Sequence, residues 1–376
     1  MNRFFAAALC VLAVGAGLAV AASPQAVPGR HSAAPSYADD WRGWPVAPVT
    51  AQHPIRGSFD DPRPSGYHIG IDVGVRDDQP EAGAPPGRTH RVYAVEGGTV
   101  EVAANVGAVG CVNRVIRIGR FAYWHADPLG TVASGQTVAA GDPIGWTCNG
   151  LWHVHLSEWT TVNGVRTWVN PLRPGGKVAP YVDTAKPAIR GIRFFRPANT
   201  SWQLDGNVVA APAAGTELDR DALSGRVDVR AEIADPQSFR GWMTGQLSRL
   251  YADHHPYRVR LTLRRLGATG PPLLLRDVFR GERVLGRGEE VTVIPPSVAP
   301  EFHYAPELRQ NLGAVKCVAV APVSCAGRYV LRLFARPGAR FWDTRTVPDG
   351  EYRITVQAWD AKGNARTTSV RVTVAN

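Results

Sequence analysis

Apolar and polar residues alternate along much of this chain with a period of two, the spacing that sends successive strand side chains to opposite faces. In Tyr67-His68-Ile69-Gly70-Ile71-Asp72 an extended backbone puts His68, Gly70 and Asp72 on one face, and Ile69, Ile71 and Val73 on the other. Gly70 has no side chain and leaves room between His68 and Asp72. In Trp152-His153-Val154-His155-Leu156 the two histidines point together, opposite Val154 and Leu156. Residues 92–95 and 99–102 read as two short strands around Gly97-Gly98, and 111–119 with 121–125 as a hairpin. Asn163-Gly164 is a two-residue hairpin turn whose return strand is 165–169. Residues 76–89, including Asp77-Asp78, are too polar and proline-broken to form an element and read as a solvated loop.

Beyond a Pro- and Gly-rich stretch at 173–186 the alternation resumes. Val227, Val229, Ala231 and Ile233 oppose Asp228, Arg230 and Glu232, and Tyr257, Val259, Leu261 and Leu263 oppose Arg258, Arg260, Thr262 and Arg264. The turn Pro348-Asp349-Gly350 leads into Tyr352, Ile354, Val356 and Ala358, and a tight turn at 360–364 leads to Val370, Val372 and Val374. Half-buried antiparallel strands of this kind predict a β-sandwich. Segments 236–256 and 265–327 exceed sandwich loops and read as insertions, with short helices at 235–250 and 305–312. His254-His255 is expected in the solvated part of the first insertion, and His303 stands alone.

Composition narrows this picture. Thirty prolines and 39 glycines favour strands and turns over long helices, so the fold class is mostly β. With 376 residues the chain accommodates two domains. Residues 1–22 read as a secretory signal, with Asn2-Arg3 ahead of an apolar run that ends in Val20-Ala21-Ala22. Cleavage is expected after Ala22 and the protein is expected to be exported; an uncleaved membrane anchor is the alternative. The remaining boundaries are an Ala/Pro-rich leader at 23–44, a first domain at 45–175, a linker at 176–187 and a second domain at 188–376.

The net charge of +10 is unevenly placed: residues 46–182 carry 11 Lys and Arg against 11 Asp and Glu, whereas 183–376 carry 28 against 19. A basic second domain favours polyanionic partners such as anionic wall polymers, and no motif supports nucleic acid. Outside the signal lie four cysteines, Cys111, Cys148, Cys317 and Cys325, with no C-x-x-C pair. Disulfides are expected, and of three connectivities the nearest-neighbour one joins Cys111 to Cys148 and Cys317 to Cys325.

The histidine-bearing faces carry the chemistry. Two imidazoles and one carboxylate suit a three-ligand zinc site with one position left open. Here the chain resembles the lysostaphin-like zinc metallopeptidases, also called the LytM family, which cut peptide bonds of bacterial peptidoglycan. The family's H-x-x-x-D motif matches His68 and Asp72, its H-x-H motif matches His153 and His155, and its intervening histidine matches His125 in Tyr123-Trp124-His125. Phe59, Arg63, Tyr93-Ala94-Val95, Gly97-Gly98-Thr99-Val100, Gly141-Asp142-Pro143-Ile144-Gly145 and Asn170-Pro171-Leu172 fit its context, over about residues 45–175. The chain departs from the family at Cys148-Asn149-Gly150-Leu151-Trp152, where a Ser-Thr-Gly run is usual, and at Glu158, where an acidic residue usually lies closer.

The resemblance implies a LytM-type antiparallel peptidase domain in which His68, Asp72 and His155 hold one Zn2+ while His125 and His153 are the catalytic pair. It implies an exported zinc endopeptidase acting on peptidoglycan stem peptides or cross-links. The alternatives are a non-enzymatic regulator of other wall hydrolases, or a wall-binding protein with an occluded site. The final hairpin, Asp349-Gly350-Glu351-Tyr352 to Gly363-Asn364, resembles that of bacterial immunoglobulin-like modules, so the second domain is expected to be an immunoglobulin-like β-sandwich with insertions.

Overall fold

Apolar side chains at alternating positions, Ile71 and Val73 on one strand and Val154 and Leu156 on the other, pack Gly70–Gly74 and His153–Val162 into one antiparallel pair of the first sheet. The computed structural model describes residues 41–63, 66–104, 110–162, 164–197, 203–205, 208–210, 215–244, 251–280, 283–285, 329–335 and 339–376. The chain is mostly β, arranged in several antiparallel sheets, and no α-helix occurs among the described residues. No helix there is long and apolar enough to cross a membrane. The signal, the leader up to residue 40, the segment 305–312, His303, Cys317 and Cys325 lie outside the described residues.

In the first sheet the strands run, in spatial order, Ile55–Gly57, Gly70–Gly74, His153–Val162, Phe121–Trp124, Arg114–Ile118, Gly98–Ala104 and Thr137–Val138. The pairing sets Val154 opposite Val73 and Leu156 opposite Ile71, and all four are fully buried. Trp44, Ile116, Ile118, Phe121, Tyr123 and Trp168 join them in one core. Strand Val165–Val169 pairs with the far half of His153–Val162, as the Asn-Gly turn predicts.

Residues 92–95 do not form a hairpin with 99–102. Strand Arg88–Tyr93 instead joins a separate sheet with Pro143–Cys148 and Ala126–Pro128. Backbone bonds from Ala94 N to Asp142 O and from Gly141 N to Ala94 O hold the chain to that loop and separate it from the Gly98–Ala104 strand. Cys111 and Cys148 are joined in a disulfide, as expected.

In the second half, one sheet contains Ala188–Phe195, Arg226–Pro236 and Val330–Arg332, and another runs Leu274–Arg280, Arg258–Arg265, Gly350–Trp359, Ala365–Val374. The predicted apolar rows meet in a second core: Val227, Val229, Ala231, Ile233, Val259, Leu261, Ile354 and Val356. Three expectations change here. Asp228 and Arg230 are buried on the face read as polar, because Arg230 and Arg332 both pair with Asp228. Part of the second insertion is a strand of the sheet, Leu274–Arg280, which brings Asp277 to 3.0 Å from Arg258 and 2.9 Å from Arg260. The described part of 235–250 is not helical; the chain returns as Asp253–His254 and pairs with Asp235–Pro236.

The two cores exchange residues. Tyr67 packs in the second, whereas Ala361 and Tyr257 pack with the first. Strand Arg283–Leu285 extends the first sheet by pairing with Val165–Val169. All described residues belong to one compact unit.

Candidate metal centre

Strand register assembles the centre. His155 lies directly opposite Asp72, and Ser157 opposite Gly70, in the pairing of His153–Val162 with Gly70–Gly74. A β-carbon at Gly70 would stand 2.3 Å from Leu156 O and 2.7 Å from His155 Nε2, so only glycine admits both the neighbouring backbone and the ring. His68 precedes its strand. It is fixed by its backbone N–H to Asp61 O at 2.7 Å, and its carbonyl accepts from Asp60 N at 2.8 Å.

Three atoms converge: His68 Nε2 and His155 Nδ1 are 2.7 Å apart, and Asp72 Oδ1 lies 3.1 Å from the first and 3.2 Å from the second. Ligand atoms of a tetrahedral zinc site lie about 3.3 Å apart, given metal–ligand distances of about 2.0–2.1 Å, close to the two carboxylate separations and wider than the 2.7 Å between the rings. The far nitrogens select the tautomers. His68 Nδ1–H donates to Ser58 O at 2.8 Å, and Ser157 Oγ, 2.7 Å from His155 Nε2, can accept that ring's proton. With the far nitrogens protonated, both facing nitrogens present lone pairs, and an imidazole whose other N–H is held by an oxygen is the usual form of a metal-bound histidine. The donor set therefore fits one zinc ion.

His153 and His125 stand beside this triad. His153 Nδ1–H donates to Leu151 O at 2.6 Å, which turns Nε2 inward, 3.5 Å from Asp72 Oδ1. The His125 ring meets the His153 ring edge-on at 5.1 Å and the His155 ring at 6.4 Å. His125 follows the end of strand Phe121–Trp124 in a left-handed conformation, φ 63°. Its carbonyl accepts from Cys148 N at 3.0 Å, so the disulfide-linked residue also anchors this histidine. All five residues expected at the centre are thus brought together.

Burial and mutual charge set the electrostatics. Burial pushes the Asp72 carboxyl up, but His68, His153 and His155 outweigh it and hold the group well below the usual carboxylate range. Burial lowers His153 to about 3, reinforced by His125 and Arg56 and opposed by Asp72. Burial and the neighbouring His68 lower His155 to about 4. The two imidazoles are therefore neutral at physiological pH, the form that binds metal or accepts a proton.

Several supporting residues were not anticipated. Arg56 donates from Nη1 to Leu151 O, the carbonyl that also holds His153, and from Nη2 to Tyr251 OH at 2.7 Å. Asp77 is not a solvated loop residue. It is buried, and its Oδ2 accepts from Gly150 N at 2.8 Å and Trp152 N at 2.7 Å, shaping the turn that delivers His153. His254 and His255 are likewise buried: His254 Nε2 lies 3.2 Å from Ile55 O, and His255 N donates to Ser58 Oγ at 3.1 Å. Glu158 is fully buried and paired with Arg173 at 2.5 Å, a structural ion pair away from the triad. Ser157, the partner of His155, did have a sequence signal, since it stands two residues from His155 on the same face.

Comparison with models of known protein families, with curated proteins and with solved structures finds no match.

Proposed function

We propose that this protein is a zinc-dependent endopeptidase of the LytM kind that hydrolyses peptide bonds of bacterial peptidoglycan. The observation that carries the reading is the convergence of His68 Nε2, Asp72 Oδ1 and His155 Nδ1, with His153 and His125 beside them. The resemblance of these five residues to the family motifs supplies the substrate class.

His68, Asp72 and His155 would hold the zinc, which would supply a Lewis acid able to polarise a carbonyl and to lower the pKa of water toward neutrality. The remaining work falls to the chain. His153, neutral and with its inward Nε2 lone pair set by Leu151 O, can accept a proton from the attacking water and return it to the leaving amine. His125, whose ring lies edge-on to His153 at 5.1 Å, would then donate to the developing oxyanion. Arg56 fixes the shared carbonyl and so positions His153. The basic second half serves as a docking surface for anionic wall polymers.

One observation favours a second reading, a wall-binding protein whose groove is covered by its own chain. Trp242 lies against Trp152, with ring centroids 6.1 Å apart, next to the turn that carries His153. Digestion of defined peptidoglycans with mass analysis of the fragments separates the two. Chelator-sensitive muropeptide release that vanishes in His155→Ala supports the peptidase. Intact wall polymer bound without any product supports the covered groove, and hydrolysis retained by His155→Ala excludes the zinc assignment.

A further inference from the structure

A second group of ligand-type side chains lies away from the histidines. Asp183 sits in the segment expected as a linker, Asp235 in strand Arg226–Pro236, and Asp360 in the turn between the last two strands. One carboxylate oxygen from each lies within 4.8 Å of the others, and all three residues are more than nine-tenths buried. No ion pair among the described residues includes any of them.

The neighbourhood distinguishes the three. Asp360 Oδ1 accepts from Lys362 N and Asn364 N, both at 2.8 Å, and its Oδ2 accepts from Asn364 Nδ2 at 2.6 Å. Asp183 Oδ1 accepts from Ala185 N at 3.0 Å and Ser238 N at 3.2 Å, while Tyr181 OH reaches its Oδ2 at 3.4 Å. These bonds aim two carboxylates, and Asn364 ties them together by also donating to Asp183 O at 2.8 Å. Asp235 differs: its Oδ1 is buried with no hydrogen-bond partner, although the residue is only 6 % exposed. It faces the other two carboxylates and lines a pocket with Tyr181, His254, Tyr257 and Ala361. An orphan buried carboxylate oxygen gives up its hydration with no replacement bond, and ionising three buried carboxyls side by side adds to that cost.

We propose that Asp183, Asp235 and Asp360 bind one calcium ion that joins the linker segment to the second-half sheets. An all-oxygen, carboxylate-rich set selects a hard cation, unlike the imidazole-rich histidine centre. Magnesium keeps several waters in its shell, which three buried side chains leave little room for, whereas calcium accepts irregular protein-oxygen cages. Asp235 Oδ1 is the ligand that lacks any other partner, and the ion neutralises the three carboxylates together. The site stands independently of the peptidase reading.

The test uses the full chain, freed of metal by chelation and titrated with calcium alone, read by calorimetry and by thermal unfolding. The expected result is one calcium bound per chain with a raised melting temperature. His155→Ala keeps that response and Asp235→Asn loses it. Asparagine matches the neutral acid in shape, and circular dichroism checks that this variant folds. A wild-type chain whose melting temperature and titration heat are indifferent to calcium overturns the proposal, whatever the variants do. So does a response that survives Asp235→Asn undiminished, or one that disappears in His155→Ala.

Discussion

His68 and His155 hold Nε2 and Nδ1 2.7 Å apart, while each ring commits its other nitrogen to an oxygen of the chain, Ser58 O and Ser157 Oγ. Two lone pairs at that separation repel unless a proton or a metal lies between them. Asp72 Oδ1 adds a third donor at 3.1 and 3.2 Å and favours the cation. The geometry depends on how closely two strands approach, and that approach is set at Gly70.

Gly70→Ala is expected to break the centre without touching a ligand. The added methyl meets Leu156 O at 2.3 Å and the His155 ring at 2.7 Å, so the strands must part or the ring must turn. Overpacking of this sort costs about 1–3 kcal/mol, and the displaced His155 should weaken zinc binding by more than tenfold. Competition against a chromophoric chelator measures the affinity, and urea denaturation the stability. Unchanged zinc affinity would mean that His155 is not held as a ligand.

Ser157→Ala probes the support of a single ligand. Losing the hydroxyl that bonds His155 Nε2 frees the ring and its tautomer, while Ser157 itself is fully buried and small. Removal of such a partner lowers metal affinity by about 10- to 100-fold. Thermal stability of the zinc-free protein should change far less than its zinc affinity, which distinguishes a lost support from a damaged core.

Arg56→Met tests positioning on the catalytic side. Arg56 bonds Leu151 O and Tyr251 OH and stacks over the Tyr251 ring with its guanidinium carbon 4.9 Å from the centroid, so the change releases the carbonyl that orients His153. No metal ligand is touched. Zinc content should therefore stay at one per chain while kcat falls by about tenfold or more, since small misplacements of a reacting group cost that much. A matched fall in zinc content would instead make Arg56 part of the metal scaffold.

Asp72 and His155 were legible in the sequence because period two fixes which side chains share a face and a strand pair brings two such faces together, whereas His68 lies ahead of its strand and is held by Asp60 and Asp61. His125 was legible only through resemblance, since it lies past a strand end at φ 63°, where alternation says nothing. Arg56, Ser58 and Tyr251 were not legible: the Arg56–Tyr251 contact spans 195 residues, and His255 reaches Ser58 across 197. Asp77 looked like a loop carboxylate because its partners, the Thr89 hydroxyl and the backbone N–H groups of Gly150 and Trp152, carry no pattern that ties them to it along the chain. His254 read as solvated because the pairing of Asp253–His254 with Asp235–Pro236 carries no periodic signal in two residues. The second core followed its apolar rows closely, whereas the buried Asp228–Arg230–Arg332 cluster defeats any rule that charge marks the solvent face.

Asp235 gives the calcium-free protein a pH dependence whose sign is fixed. The titratable groups around it are Asp183, Asp253 and Asp360, with Tyr181, His254, His255 and Tyr257 lining the same pocket. Burial, then Asp360, Asp183 and Asp253, push its carboxyl well above the usual range, and burial also raises Asp360. The folded chain therefore holds these protons more tightly than the unfolded chain does. Their contribution to stability is whole below about pH 4, where the unfolded groups titrate, and is lost as pH rises toward the folded values. Asp235→Asn removes the larger part of that loss, so its urea midpoint should match the wild type in acid and exceed it at neutral pH. Calcium should flatten the wild-type curve by occupying the carboxylates as anions. Midpoints of wild type and variant that run parallel from acid to neutral pH would show that Asp235 carries no such burden.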